Sequence, residues 1–158
     1  MSLPCHTRSG RAVAARRGRT AASGGVLEGL TAGRGAVTRP AMVEITQEFG
    51  FDAAHYLPVG AAQNRQMHGH SFYVEVTLRG EPHAQTGVLR DFGAIEQALT
   101  NIRARLDHQL LNEVEGLGQP TLENLARYIF AQAKTALPEI VRVRVRRPSY
   151  GQSCTYEA

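Results

Sequence analysis

The order of hydrophobic patterns along the chain restricts its fold more than any other sequence feature. Apolar residues alternate with polar ones from Val43 into His55 and again from Gly69 to Arg79, which is typical of strands. Two segments with apolar residues at helical spacing follow, and two short alternating segments close the chain. The order ββααββ, without repeats, predicts an α+β domain in which two helices cover one face of an antiparallel sheet.

The predicted elements have recognisable ends. Asp91 and Thr121 are N-cap candidates for the two helices, and Pro138 is expected to end the second one. A turn over 148–151 leads to the last strand, which is predicted over 153–157. The residues whose spacing places them on shared apolar faces are Phe72, Val74, Val76, Leu78, Phe92, Ile95, Leu99, Ile102, Leu106, Leu122, Leu125, Ile129, Ala133, Leu137, Val141, Val143 and Val145.

Residues 1–41 form an N-terminal extension of distinct composition. They contain seven arginines and one acidic residue, Glu28, among many Gly, Ser, Thr and Ala residues. We expect this extension to be disordered, because it cannot bury enough apolar surface to offset its conformational entropy. An organelle transit peptide and a misassigned start upstream of Met42 are open alternatives. Residues 42–158 are predicted to form one domain.

Charge and cysteine usage argue against several classes of function. The net charge of +4 arises from the extension, so the predicted domain is mildly acidic and offers no basic, aromatic-interleaved surface for nucleic acid. No apolar run reaches the length of a membrane-spanning helix or forms a signal-peptide core. Cys5 and Cys154 make neither a disulfide framework nor a CxxC metal site. We therefore expect a cytoplasmic protein with no membrane and no nucleic-acid partner.

Three histidines form a candidate metal site. His68 and His70 are two residues apart at the start of a predicted strand, so their side chains project from the same face. His55 ends the preceding strand and lies beside them if the two strands pair antiparallel. Three neutral imidazoles suit Zn²⁺ and leave its fourth position open, as in a catalytic site. The sequence therefore predicts a zinc site at His55, His68 and His70.

Two other interpretations of this pattern are weaker. A single H-x-H pair arises by chance, but here a third histidine is expected to converge on it. A cupin also uses H-x-H followed by a glutamate, and Glu75 lies five residues after His70. A cupin barrel needs many more strands than the four predicted here, and it does not accommodate two strong amphipathic helices in mid-chain.

Four motifs in a fixed order carry a resemblance to a known family: FDAAH at 51–55, HGH at 68–70, LDH at 106–108 and PTLEN at 120–124. From about 43 to 156 the chain resembles the 6-pyruvoyl-tetrahydropterin synthase family, which includes the bacterial 6-carboxytetrahydropterin synthases of queuosine biosynthesis. The resemblance implies the tunnelling fold (T-fold), in which subunits pool their sheets into a barrel. It also implies a homo-oligomer, most often a hexamer, with active sites between subunits and a pterin-like substrate.

The resemblance assigns roles to further residues. It implies that Asp107 and His108 are a catalytic pair that relays protons during cleavage of the pterin side chain, and that Thr121 and Glu123 help to hold the pterin. The residues alone leave simpler interpretations open. His108 could interact with the C-terminal end of the helix dipole, and Glu123 could be a first-turn acid behind a Thr121 cap.

Two positions depart from the family pattern. The family places a catalytic cysteine shortly before the HGH motif, where this chain has Asn64, whose amide is not a useful base. Cys154 is either a packed small residue or a relocated base. The family also places a pterin-anchoring glutamate after its third strand, where this chain has Arg147. An arginine there binds phosphate or carboxylate, or else continues the exposed face of Arg142, Arg144 and Arg146.

Two hypotheses of function follow. The first is a zinc-dependent lyase or synthase that acts on a substrate of the dihydroneopterin triphosphate type. The second is a family member that lacks the catalytic cysteine and has an altered substrate or a binding role only.

Overall fold

The computed structural model describes residues 41–158, and the predicted N-terminal extension lies, apart from residue 41, outside the described residues. The described elements follow the predicted order ββααββ, which is confirmed. They are the strands β1 (Val43–His55), β2 (His68–Gly80), β3 (Ile140–Arg147) and β4 (Gln152–Glu157) and the helices α1 (Phe92–Ala104) and α2 (Leu122–Lys134).

The four strands form one antiparallel sheet in the order β1-β2-β3-β4. β1 and β2 pair over their whole length, from Val43 opposite Gly80 to His55 opposite His68. β3 and β4 are joined by a tight turn in which Gly151 adopts a φ of 62°, a conformation that glycine reaches without steric cost. Each strand therefore lies beside the next one along the chain. The last residue of β1 lies beside the first residue of β2, at one end of the sheet.

Both helices cover the same face of the sheet, where the core lies. Most of the residues predicted to share apolar faces are buried there: Phe72, Val74, Val76, Leu78, Ile95, Leu99, Ile102, Leu106, Leu125, Ile129, Ala133, Leu137, Val143 and Val145. The caps are also as predicted, since the side chain of Asp91 accepts from the Ala94 N–H at 3.0 Å and that of Thr121 from the Asn124 N–H at 3.3 Å. Neither described helix is long and apolar enough to cross a membrane.

Three details of the predicted elements are wrong. Phe92, the first residue of α1, is 51% exposed, because it precedes the turn that packs on the sheet. Ile140 rather than Val141 is buried, because a bulge opposite Thr77 and Leu78 shifts the register of β3. α2 ends at Lys134, before Pro138, and the Lys134 ammonium group instead donates to the Pro138 carbonyl at 3.0 Å.

Candidate metal centre and active site

The three histidines converge on the helix-covered face where β1 ends and β2 begins. The antiparallel register places His55 opposite His68, and His70 follows two residues along β2 on the same face. Their ring centroids lie 4.6 Å (His55–His68), 5.1 Å (His55–His70) and 4.9 Å (His68–His70) apart. One ring nitrogen from each lies within 4.8 Å of the others, so the three side chains could hold one metal ion. The predicted convergence is confirmed.

Backbone carbonyls fix the orientation of two of these rings. His55 Nδ1 donates to the Pro120 carbonyl at 2.9 Å, and His68 Nδ1 donates to the Gln66 carbonyl at 2.8 Å. Since a carbonyl only accepts, the hydrogen resides on Nδ1 and leaves the Nε2 lone pair available. His55 is 1% exposed, and its Nε2 has no hydrogen-bond partner. Buried polar atoms are normally paired, so this orphaned nitrogen fits a ligand of a metal ion.

The protonation state of the site also suits a metal. Burial lowers the pKa of His55, and burial together with the Arg147 guanidinium lowers the pKa of His70 to about 4. Both imidazoles are therefore neutral near pH 7, which is the form that binds a cation.

Glu75, the residue that a cupin site would require, lies on the other face of the sheet. Its carboxylate forms a salt bridge with Arg146, with Oε1 2.7 Å from the Arg146 Nε. Together with the four-stranded sheet, this position shows that the cupin interpretation is wrong.

Arg147 lies beside the three histidines, on the helix-covered face. It ends β3 one residue after Arg146, so its side chain points to the opposite side from Arg142, Arg144 and Arg146. Its Nη1 donates to His70 Nε2 at 3.1 Å, and its Nη2 donates to Gln152 Oε1. The guanidinium carbon also lies 5.7 Å from the centre of the Tyr150 ring.

A cavity of about 350 Å³ opens next to His55. Its lining includes His55, Thr121, Glu123 and Arg147, so the structure brings four of the predicted site residues together. The Glu123 backbone N–H and the Thr121 hydroxyl lower the pKa of the Glu123 carboxyl. Two larger cavities, of about 430 and 760 Å³, contain none of these residues. The smaller cavity is the candidate site because its lining joins His55 to the charged groups of Glu123 and Arg147.

Asp107 and His108 form a second cluster, in the turn after α1. His108 has a φ of 60°, which is uncommon outside glycine, and its N–H donates to the Asp52 carbonyl at 2.7 Å. Asp107 Oδ1 lies 3.1 Å from His108 Nδ1 and accepts from the Asp52 N–H at 3.0 Å. This backbone N–H is the largest cause of the lowered pKa of Asp107. The His108 side chain is 81% exposed, and its described contact is with Asp107 rather than with the three histidines.

Asn64, at the position of the family cysteine, and Cys154, the possible relocated base, both have structural roles. Asn64 organises the loop between β1 and β2, since its backbone carbonyl accepts from the Leu57 N–H at 2.7 Å. That loop, 56–67, contains no thiol, carboxylate or imidazole. Cys154 is half-buried against the core, and burial raises the pKa of its thiol. It therefore has the surroundings of a packed side chain rather than of an activated thiolate.

Sequence reasoning missed two residues of the site, Tyr150 and Gln152. The Tyr150 ring lies edge-on to His70, with centroids 5.1 Å apart, and Gln152 holds the Arg147 guanidinium. Tyr150 lies within the predicted turn over 148–151, and Gln152 follows it directly. The turn itself was the available signal, because it folds these residues back beside the end of β3.

The sheet, the helix pair and the three-histidine site define a T-fold protein with a candidate metal centre. The family model described as 6-pyruvoyl tetrahydropterin synthase matches residues 44–158, and the chain belongs to this family. It is 38% identical over 97 residues to the 6-carboxy-5,6,7,8-tetrahydropterin synthase of Synechocystis sp., a match that covers 58% of this chain and 75% of that protein.

Two further comparisons describe the range of the family. The chain is 32% identical over 94 residues to the dihydroneopterin monophosphate aldolase of Pyrococcus furiosus, over 60% of this chain and 77% of the relative. The structure of Caenorhabditis elegans 6-pyruvoyl tetrahydropterin synthase superposes with a TM-score of 0.66 at 23% identity, over 76% of this chain and 98% of that one. The latter likeness establishes the shared fold.

Proposed function

We propose that this protein is a zinc-dependent lyase or synthase that cleaves the side chain of a pterin of the dihydroneopterin triphosphate type. The observation that carries the proposal is the orphaned, buried Nε2 of His55 beside two further imidazoles. His55, His68 and His70 would hold the ion. Zinc at that position would polarise and acidify the hydroxyl groups of the substrate side chain. The names of the relatives support a pterin as the substrate class.

Thr121 and Glu123 would bind and orient the pterin ring. Hydrogen bonding keeps the Glu123 carboxyl ionised, so it can accept two hydrogen bonds from the amino group and ring N–H of a pterin. Thr121 caps α2 and thereby fixes the first turn, on which Glu123 stands. The roles of Thr121 as an N-cap and of Glu123 as a first-turn acid are therefore compatible with binding of the pterin.

Asp107 and His108 would move the proton. Asp107 holds the Nδ1–H of His108, which leaves the His108 Nε2 lone pair facing solvent, where it can accept a proton. Because the pair contacts Asp52 rather than the three histidines, we propose that it completes the site of a neighbouring subunit.

We expect Asp107→Asn to reduce turnover about 10²-fold or more, because the amide removes the charge that stabilises protonated His108. The zinc content should not change, since the three histidines are untouched. Asp91→Asn is the matched control, because asparagine also caps a helix and Asp91 lies outside the site. A loss of zinc in Asp107→Asn, or equal activity of the two variants, would contradict the assigned role.

The same proposal requires a homo-oligomer, and we propose a hexamer, which is the assembly that the family resemblance implies. β1 and β4 are the edge strands of the described sheet and offer unpaired backbone groups to other subunits. We expect light scattering to give about six times the mass of the single chain, which is 17.2 kDa for the full chain and correspondingly smaller when residues 1–40 are removed. A monomer at micromolar concentration would contradict an active site shared between subunits.

A second candidate function rests on Asn64 and Arg147, the two departures from the family pattern. The chain would then bind a pterin without standard turnover, or act on another phosphorylated pterin. Both are tested by incubating zinc-loaded and EDTA-treated protein with dihydroneopterin triphosphate and with dihydroneopterin monophosphate. The first proposal expects slow, zinc-dependent cleavage of the triphosphate. Binding without cleavage, or cleavage of the monophosphate alone, would favour the second.

A further inference from the structure

Arg147 occupies one of the two ring nitrogens through which His70 could bind a metal. Its Nη1 donates a hydrogen bond to His70 Nε2 at 3.1 Å. An unprotonated imidazole nitrogen has one lone pair in the plane of the ring, so it can accept this hydrogen bond or bind a metal, but not both. An arginine cannot yield by losing its proton in a protein. The guanidinium must therefore turn away from His70 before this nitrogen can become a ligand.

The surroundings of Arg147 do not neutralise its charge. Gln152 is a neutral acceptor, and Tyr150 offers only the face of its ring. Glu123 and Arg147 carry the charges among the residues that line the cavity, but their side chains form no salt bridge within the described part of the chain, since Arg147 donates to His70 and Gln152 instead. A divalent ion at the histidines would thus face a positive charge that has no salt-bridge partner among the described residues.

Arg147 also retains unused donors. Its Nε is buried and has no hydrogen-bond partner. Nε–H and an adjacent Nη–H form the fork that pairs with two oxygens of a carboxylate or a phosphate. The cavity beside it has a volume of about 350 Å³, which is large enough to admit such a group.

We infer that Arg147 couples metal binding to anion binding: its guanidinium blocks the His70 nitrogen until an anionic group of the ligand, a carboxylate or a phosphate, draws it away. The inference rests on the proposed metal site and goes beyond it by making an anionic ligand the partner of metal loading. Arg147 is then a specificity-determining residue, because a ligand without an anionic group leaves the guanidinium on His70.

The test is a cobalt(II) titration of EDTA-treated full-length protein, followed by the visible absorbance of the bound ion. We expect Arg147→Gln to bind cobalt about tenfold more tightly than the wild type, because the competing donor and its charge are removed. Arg146→Gln is the matched control, since it removes the same charge from the opposite face, where Arg146 pairs with Glu75. Arg147→Met repeats the test with a side chain that retains apolar packing.

A second arm adds sodium acetate or methyl phosphate at constant ionic strength, with chloride as the reference. The anion that matches the site should tighten cobalt binding to the wild type several-fold and leave Arg147→Gln unchanged, and the two salts distinguish a carboxylate from a phosphate. Equal affinities of wild type and both Arg147 variants would overturn the inference alone, as would an anion effect of the same size in all proteins. Failure of every variant to bind cobalt would overturn the proposed metal site as well.

Discussion

Replacing His70 by alanine is expected to remove zinc from the purified protein, from about one ion per subunit to nearly none. The physical reason is that two remaining imidazoles rarely hold the ion against water. His68→Ala should have the same effect, because both residues stand on one face of β2 and offer nitrogens within 4.8 Å of that of His55. Elemental analysis of protein purified without chelators measures the result.

His83→Ala is the matched control for this experiment. His83 is exposed in the segment after β2, where its ring lies 3.4 Å from the Thr86 hydroxyl, and it is remote in the fold from the three-histidine site. Its replacement should leave the zinc content unchanged. Full occupancy in a His68→Ala, His70→Ala double variant would show that the metal binds elsewhere.

Restoring a thiol in the loop before β2 is expected to raise cleavage of dihydroneopterin triphosphate by about 10²-fold or more, because a missing general base costs roughly 10²–10⁴-fold in rate. The change is Asn64→Cys, measured as substrate consumed per zinc-loaded subunit. The wild type is expected to be correspondingly slow, since Asn64 is not a base and Cys154 packs against the core.

Gln63→Cys is the control for that variant, since it adds a thiol to the same short helical turn one residue away. If Arg147 reorients the substrate, the gain should appear only when Arg147→Glu is combined with Asn64→Cys. A wild type as fast as relatives that contain the cysteine would contradict the prediction. His108 or Cys154 would then have to supply the proton step without a thiol at position 64.

Much of this architecture could be predicted because it depends on local pattern. Alternation with period two fixes which face of β2 is buried, and it places His68 and His70 on that face. The further assumption of antiparallel pairing was enough to bring His55 to them, and the register confirms it. The caps at Asp91 and Thr121 were predictable for the same reason, since each is satisfied within three residues.

What could not be predicted depends on contacts between distant segments. Because of the bulge beside Thr77, Ile140 rather than the predicted Val141 lies in the core, and no local sequence pattern indicates this bulge. The contact between Arg147 and His70 joins residues 77 positions apart and depends on where β3 ends relative to β2. From the sequence, Arg147 could be either an exposed residue or a functional one. The fold places it on the helix-covered face of the sheet, beside His70.

Zinc-edge anomalous scattering from crystals of the full chain tests the central claim most directly, because it locates the ion rather than counting it. We predict one zinc peak per subunit, about 2.0–2.1 Å from a ring nitrogen of each of His55, His68 and His70. A zinc peak at another position, or none at the three histidines after zinc is supplied, would contradict the proposed metal centre.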